Sequence, residues 1–542
     1  MERRIVEPPF AQPDNASERR PLSPLSRDRD VQPTNVREIA SLLVIVAVAD
    51  LTVYRGRGYS GYALLFCTLP VLFLVGSVRR ERFAMQWVMG LLLAGVSSRL
   101  AWCGNPGAVL AGGFLTVCFA MSLTGLPPWV VRALVYASRL VGAGHRALSD
   151  YWQLLSHWSP AVPRGSVLSV VLPIVTLGLF GLIFTLANPD LLTAISSELE
   201  HLVRLVNEWL VEFIPGPIEI LFCLGTGWLA AGVLRPQLPE PSDDFVQVGV
   251  APETEAAEAP LYTPFRNTLV SVIGLFVVYL AFEFQTLWFR EFPDGFHYSG
   301  YAHEGAAWLT VALGLATVLL SLIFRGQVLR DPRLGSLKRL AWVWSALNLI
   351  LAVAVIHRLL IYVDFNGMTR MRTIGFLGIA SVIAGFLFVV AKIVRQRTFR
   401  WLIRRHLWTV TVAAYLYCVL PVDAWIDQYN VRRILAGDSA PSVQIIAHPT
   451  SDEGLLQLFP LLECDNTVIR DGVSAMLAAE LTSRRRNPDD AETSHWTAHQ
   501  CAENELLERL EAESDRWPAK SNSATGRMDA INAFRDYAWQ WY

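Results

Sequence analysis

What this chain has least of is charge. Asp, Glu, Lys and Arg supply 17% of its 542 residues, where soluble domains carry roughly 25%. With 53% hydrophobic residues, that shortage excludes an ordinary soluble enzyme. A formal net charge of −2 leaves no broad basic face, so nucleic acid is not an expected partner. Strand-like alternation over segments of about ten residues, which a membrane barrel requires, is also missing. So is the basic-then-apolar pattern of a cleavable signal peptide. The first apolar segment therefore reads as a retained helix, preceded by a polar, proline-rich segment at 1–37 expected to be disordered.

Motifs that carry chemistry are absent too. There is no H-E-x-x-H, P-loop, nucleophile elbow or paired C-x-x-C, and His303–Glu304 lacks the second histidine of a zinc helix. No cofactor and no metal are expected, no catalytic residue can be named, and any transport would run without ATP hydrolysis. Gly56, Gly58 and Gly61 do spell G-x-G-x-x-G. A dinucleotide site needs that motif between a strand and a helix, whereas here it joins two apolar segments.

What the sequence holds instead is apolar runs. Eleven are long enough, or nearly so, to cross a hydrocarbon core of about 30 Å: 38–54, 61–78, 84–102, 106–125, 166–187, 215–234, 267–288, 303–324, 340–362, 373–391 and 407–423. Backbone groups inside lipid must bond within their own segment, so these runs are expected to be helices. The predicted fold is an all-α polytopic bundle at 38–427 with a small helical tail at 428–542. Amphipathic periodicity marks 128–158 and 190–213 as interfacial helices that cap the bundle or lie on the membrane, and 235–265 as an acidic loop.

Basic loops set the expected orientation. Arg79, Arg80 and Arg82, then Arg132, Arg139, Arg146 and Arg164, then Arg325 to Arg339, then Lys392 to Arg405, all fall in alternate loops. The positive-inside rule places that side, and the N-terminus, in the cytoplasm. The tail then lies outside an inner membrane, where Cys464 and Cys501 could form a disulfide or stay free thiols; spacing does not decide.

Ionisable residues in or beside the spans are the candidate site. Asp50 and Glu219 are intramembrane acids. Glu283, Glu304, Arg358, Tyr362, Asp364, Arg370, Asp423 and Asp427 should share one layer near the outer surface. Charges in lipid are costly and usually face an interior or a water-filled cavity, so this layer is expected to form a polar chamber. The alternative is that these residues pair at helix ends or snorkel to water.

Four segments carry a resemblance: Ala47-Val48-Ala49-Asp50-Leu51, the stretch from Tyr298 to Gly305, the stretch from Arg358 to Arg372, and Asp427-Gln428-Tyr429-Asn430-Val431. Together they resemble the bacterial polytopic membrane proteins grouped as domain of unknown function 4153/4173, over about 40–480. Family members commonly have Arg where this chain has His303, and Ala-Tyr in place of Phe365-Asn366. The resemblance implies the membrane fold and the same outer-face residues, but no activity. The sequence therefore points to a membrane protein acting as a sensor, scaffold or transporter-like component. A membrane-embedded transferase or hydrolase using the outer acids is the alternative. Expected partners are the lipid bilayer and a protein or small ligand at the outer face.

Overall fold

A computed structural model describes residues 35–77, 84–158, 216–236, 260–289, 298–324, 328, 331–395, 397–486, 495–518 and 523–541. The polar segment before residue 35, the expected span 166–187, the interfacial helix 190–213 and most of the acidic loop lie outside these residues. Every element among them is helical.

The first group of helices comprises α1 (Val36–Ala49), α2 (Tyr59–Gly76), α3 (Met85–Cys103), α4 (Pro106–Leu123), α5 (Val130–Trp158) and α6 (Pro217–Leu234). Their ends follow local chemistry. Asn35 and Asn105 accept hydrogen bonds from the first turns of α1 and α4, and Pro106 sits where a helix has no partner for an N–H. A π-helical turn at Asp50–Tyr54 closes α1. Phe66, Phe73, Leu93, Val96, Leu100, Leu115 and Phe119 build the shared core. The expected interfacial segment 128–158 is one continuous helix, α5, packed against α6.

The second group comprises α7 (Tyr262–Phe289), α8 (Tyr298–Ile323), α9 (Leu334–Asn366) and α10 (Arg370–Arg395). They pack around Leu313, Leu320, Trp344, Leu351, Val355 and Val389. Helix α11 (Phe399–Val419) bridges the groups. Its Leu402 joins the second core, while Trp408, Tyr415 and Val419 lie on the first. Pro421 has no N–H to continue the helix, and the chain bends by 66° into α12 (Val422–Leu435).

The eleven expected spans are reduced by this geometry. Among the described residues six helices are long and apolar enough to cross a membrane (α2, α4, α6, α7, α9 and α10), or seven if α11 and α12 count as one bent span. Helix α1 has only 14 residues before its π turn. Helix α3 buries the charged end of Arg99, and in α8 the apolar stretch is Val311–Leu320. Helix α12 carries Asp423, Asp427, Arg432 and Arg433 and gives Val431 and Ile434 to the tail core, so it packs with the tail.

The tail continues with α13 (Ser442–Ala447), α14 (Asp452–Leu455), a 3-10 turn at Phe459–Glu463, α15 (Thr467–Arg486), α16 (Cys501–Glu513) and α17 (Ala524–Ala538). Val443, Leu461, Ile469, Val473, Leu477, Leu506, Leu510 and Phe534 form its own core. Cys464 is buried there while Cys501 is exposed, and both are free thiols.

Candidate functional site

The tail meets the bundle at one end, and the sequence-flagged charges are divided among separate contacts there. In the second group, Glu283 of α7 accepts a 2.6 Å hydrogen bond from Arg358 of α9 and a 2.9 Å bond from the Tyr279 hydroxyl one turn earlier. Both charged side chains are buried. Such a pair joins two helices, since removing one partner leaves an uncompensated charge.

Arg370 opens α10 and reaches Asp423 of α12 with two 2.6 Å bonds, the parallel fork that guanidinium and carboxylate favour. Burial works to raise the Asp423 carboxyl, but the Arg370 contact and hydrogen bonding from Ser451 together hold the group below its ordinary value. Asp427, one turn on, is buried and accepts 2.6 Å from the Thr450 hydroxyl. Burial, against the lowering effect of that hydrogen bond, pushes its carboxyl up to about 6. Nearby His448 is shifted down by burial and by the charges of Arg372 and Arg370.

The turn between α9 and α10 is held by the tail. Gly367 ends α9 at φ +97°, a conformation that side chains rarely adopt. A Cβ there would also press on Asn430 and Pro441. Asn430 of α12 grips the next residue from both sides, accepting from Met368 N–H at 2.7 Å and donating to its carbonyl at 3.0 Å. Arg433 donates to the last carbonyls of α9, Val363 at 2.8 Å and Asp364 at 2.5 Å, and also pairs with Asp438. The Asp364 side chain itself is exposed. Arg372 lies 3.7 Å from the Tyr362 ring centre and bonds to Asn366 and the Gly367 carbonyl. Glu304 lies on α8, but its side chain falls outside the described residues, as does that of His303.

The first group is held at the same end. Arg99 of α3 forms a bidentate pair with Glu453 of α14, and both side chains are at most 9% exposed. The glycine motif is part of this contact. Arg57 N–H donates to Thr497 Oγ1 at 2.8 Å and Ser60 N–H donates to the Thr497 carbonyl at 3.1 Å. A Cβ on Gly58 would come 2.6 Å from the Ala498 Cα, so a side chain is excluded by the tail segment lying across it. Gln500 accepts from Gly104 N–H. Asp50 and Glu219 meet Arg55 in the adjoining corner, where Arg55 Nε lies 3.2 Å from Asp50 and 2.8 Å from Glu219.

The chain matches the family described as Domain of unknown function (DUF4153) over residues 87–456. It belongs to that family. The family region begins in α3 and ends just beyond α14, so both partners of Arg99–Glu453, of Glu283–Arg358 and of Arg370–Asp423 lie inside it. No curated protein and no solved structure matches the chain. Family membership and the apolar helices together make this a membrane protein.

Sequence reasoning had flagged Asp423, Asp427, Arg370, Glu283 and Arg358, and held Arg372 and Asn430 within the segments that carry the resemblance, but missed Arg99, Glu453, Arg433 and Thr450. One signal was available. Arg99 falls inside the apolar run 84–102, and an arginine within such a run needs a partner.

Proposed function

We propose that this protein is a membrane-embedded scaffold or sensor in which a folded tail clamps two helix groups at one membrane face. One observation carries this reading: the tail is bonded to α3 of the first group through Arg99–Glu453 and to α9 and α10 of the second through Asn430, Arg433 and Asp423. A clamp that spans both groups makes their relative position depend on the tail. Whatever binds or protonates the tail is thereby felt by the membrane helices. Asp427 gives that dependence a titratable element, because its buried carboxyl sits between the Arg370 contact and α14.

The orientation assigned is N-terminus in the cytoplasm and tail outside an inner membrane. Arg132, Arg139, Arg146, Arg400, Arg404 and Arg405 gather at the end opposite the tail, which supports it. A reporter fused after Tyr542 should work only if it folds outside the cytoplasm; activity of a cytoplasm-only reporter there would sink the topology. For the clamp, cysteines replacing Arg99 and Glu453 should crosslink in native membranes. Failure to crosslink while the rest of the tail stays folded would sink it.

A transferase or hydrolase using outer acids is the second reading. It rests on Asp427, a carboxyl held near neutrality one turn from the charged Asp423, the separation of protonation states that acid–base catalysis uses. An ester-hydrolysing activity that disappears in Asp427→Asn, with thermal stability retained, would favour it over the clamp.

A further inference from the structure

At the end of the bundle away from the tail, the corner between α5 and α11 gathers four arginines that pair with no carboxylate among the described residues. Trp129 follows Pro127 and Pro128 and leads into α5, beside the first turns of α11. The Arg404 guanidinium lies 5.1 Å from the Trp129 ring centre and that of Arg405 lies 5.9 Å from it. Arg405 is also 5.5 Å from the Trp401 ring. Arg400 stands one turn before Arg404 on α11, and Arg132 stands three residues beyond Trp129 in the first turn of α5. None of these four arginines has a carboxylate partner among the described residues. Arginines at the tail contact are treated differently, being matched to Glu453, Asp423 or Asp438.

Four like charges gathered from two helices oppose their own packing, as like charges one helical turn apart do. Tryptophan faces offset part of that cost. An anion would offset the rest. Guanidinium forks match phosphate oxygens in pairs, and tryptophan is at home at the level of lipid headgroups. The neighbouring surface favours a lipid over a free anion: Val131, Leu134 and Val135, on the same turns of α5 as Arg132, are exposed apolar side chains. One short stretch of helix thus offers a cation to a headgroup and hydrocarbon to its chains.

We propose that Arg132, Arg400, Arg404 and Arg405, with Trp129, form a binding site for the headgroup phosphate of an anionic phospholipid, whose acyl chains lie along Val131, Leu134 and Val135. The site is distinct from generic attraction of basic residues to the membrane. Arg139 and Arg146, farther along α5, are exposed but have neither the tryptophan nor the α11 arginines beside them.

The test uses the full-length protein in a zwitterionic detergent, with phosphatidylglycerol, phosphatidylcholine and inorganic phosphate as probes and native mass spectrometry as readout. The wild type should retain one phosphatidylglycerol in preference to phosphatidylcholine. Arg132→Gln with Arg404→Gln should weaken that binding by about 25-fold, on the order of fivefold per arginine. Arg139→Gln with Arg146→Gln should leave it unchanged. Arg404→Lys, which keeps the charge but loses the fork, should fall between. The lipid-free Arg132/Arg404 variant should melt no lower than the wild type, because repulsion has been removed. The proposal is overturned if both lipids bind alike, if the Arg139/Arg146 variant loses as much affinity, or if inorganic phosphate competes as well as the lipid. It is equally overturned if the lipid-free Arg132/Arg404 variant loses its fold, since the cluster would then be holding α5 to α11.

Discussion

The arginines of the tail contact and those of the α5–α11 corner live under opposite rules. At the tail contact Arg99, Arg370 and Arg433 each reach a carboxylate, and Arg372 reaches an amide oxygen and a carbonyl. At the α5–α11 corner Arg404 and Arg405 lie over tryptophan faces with Arg132 and Arg400 nearby, and none of the four meets an acid among the described residues. The difference teaches where binding free energy is already used. A paired arginine is a joint between elements, and its loss should loosen the fold. For a cluster that meets no acid among the described residues, loss should change anion binding while leaving the fold intact.

The strongest way to break this comparison is at Arg99–Glu453. Glu453→Ala should destabilise the protein by about 3–5 kcal/mol, because it strands a buried guanidinium. Replacing both partners with methionine should recover much of that loss, as measured by thermal melting. If the single and double changes cost the same, the pair is not a joint.

Asp427 comes next, and its sign can be worked out. Its carboxyl is raised from 3.8 to about 6 in the folded chain. The neutral form is thus favoured by folding. The corresponding stability is fully present below about pH 4 and lost as pH rises through about 6. Asp427→Asn should therefore stabilise the protein at pH 7 by up to about 3 kcal/mol. It should also flatten the melting temperature between pH 4 and 7. A wild type whose stability rises with pH across this window, in a way that Asp427→Asn abolishes, would contradict the assignment.

Gly58→Ala should cost about 1–3 kcal/mol, since the tail backbone at Ala498 has to shift to admit a methyl group. Limited proteolysis should then cut near residue 497 sooner. Arg370→Gln should cost less, about 1 kcal/mol or below, because the arginine is 47% exposed despite its good geometry. Smallest of all is Arg404→Gln, which should leave the melting temperature of the lipid-free protein unchanged or slightly raised. A marked loss there would erase the distinction between the tail contact and the α5–α11 corner.

Much of the helical layout was legible, because lipid leaves an apolar run no other conformation. The expected 106–125 is α4 at Pro106–Leu123, 215–234 is α6 at Pro217–Leu234, and 373–391 lies within α10 at Arg370–Arg395. The count of eleven was not sustained among the described residues. Apolarity alone did not register that α1 stops at a π turn or that Arg99 faces the tail. For the site, the sequence marked residues but not their partners. Arg370 and Asp423 were both named, yet their pairing depends on the bend at Pro421. Arg99 and Glu453 are 354 positions apart, and no local periodicity connects them. The glycines at 56, 58 and 61 lie where α1 and its π turn meet α2, but their contact with the tail became visible only once residues 497 and 498 were placed.

The clamp itself is tested most directly by hydrogen–deuterium exchange on the wild type and Glu453→Ala. If the tail ties both helix groups together, cutting its bond to α3 should raise exchange at 452–463 and 495–501. It should also raise exchange, by a smaller factor, at the α9–α10 turn around Gly367, which the tail holds through Asn430 and Arg433. Faster exchange confined to 452–463, with the Gly367 turn unchanged, would mean that the two contacts are independent and that no clamp exists.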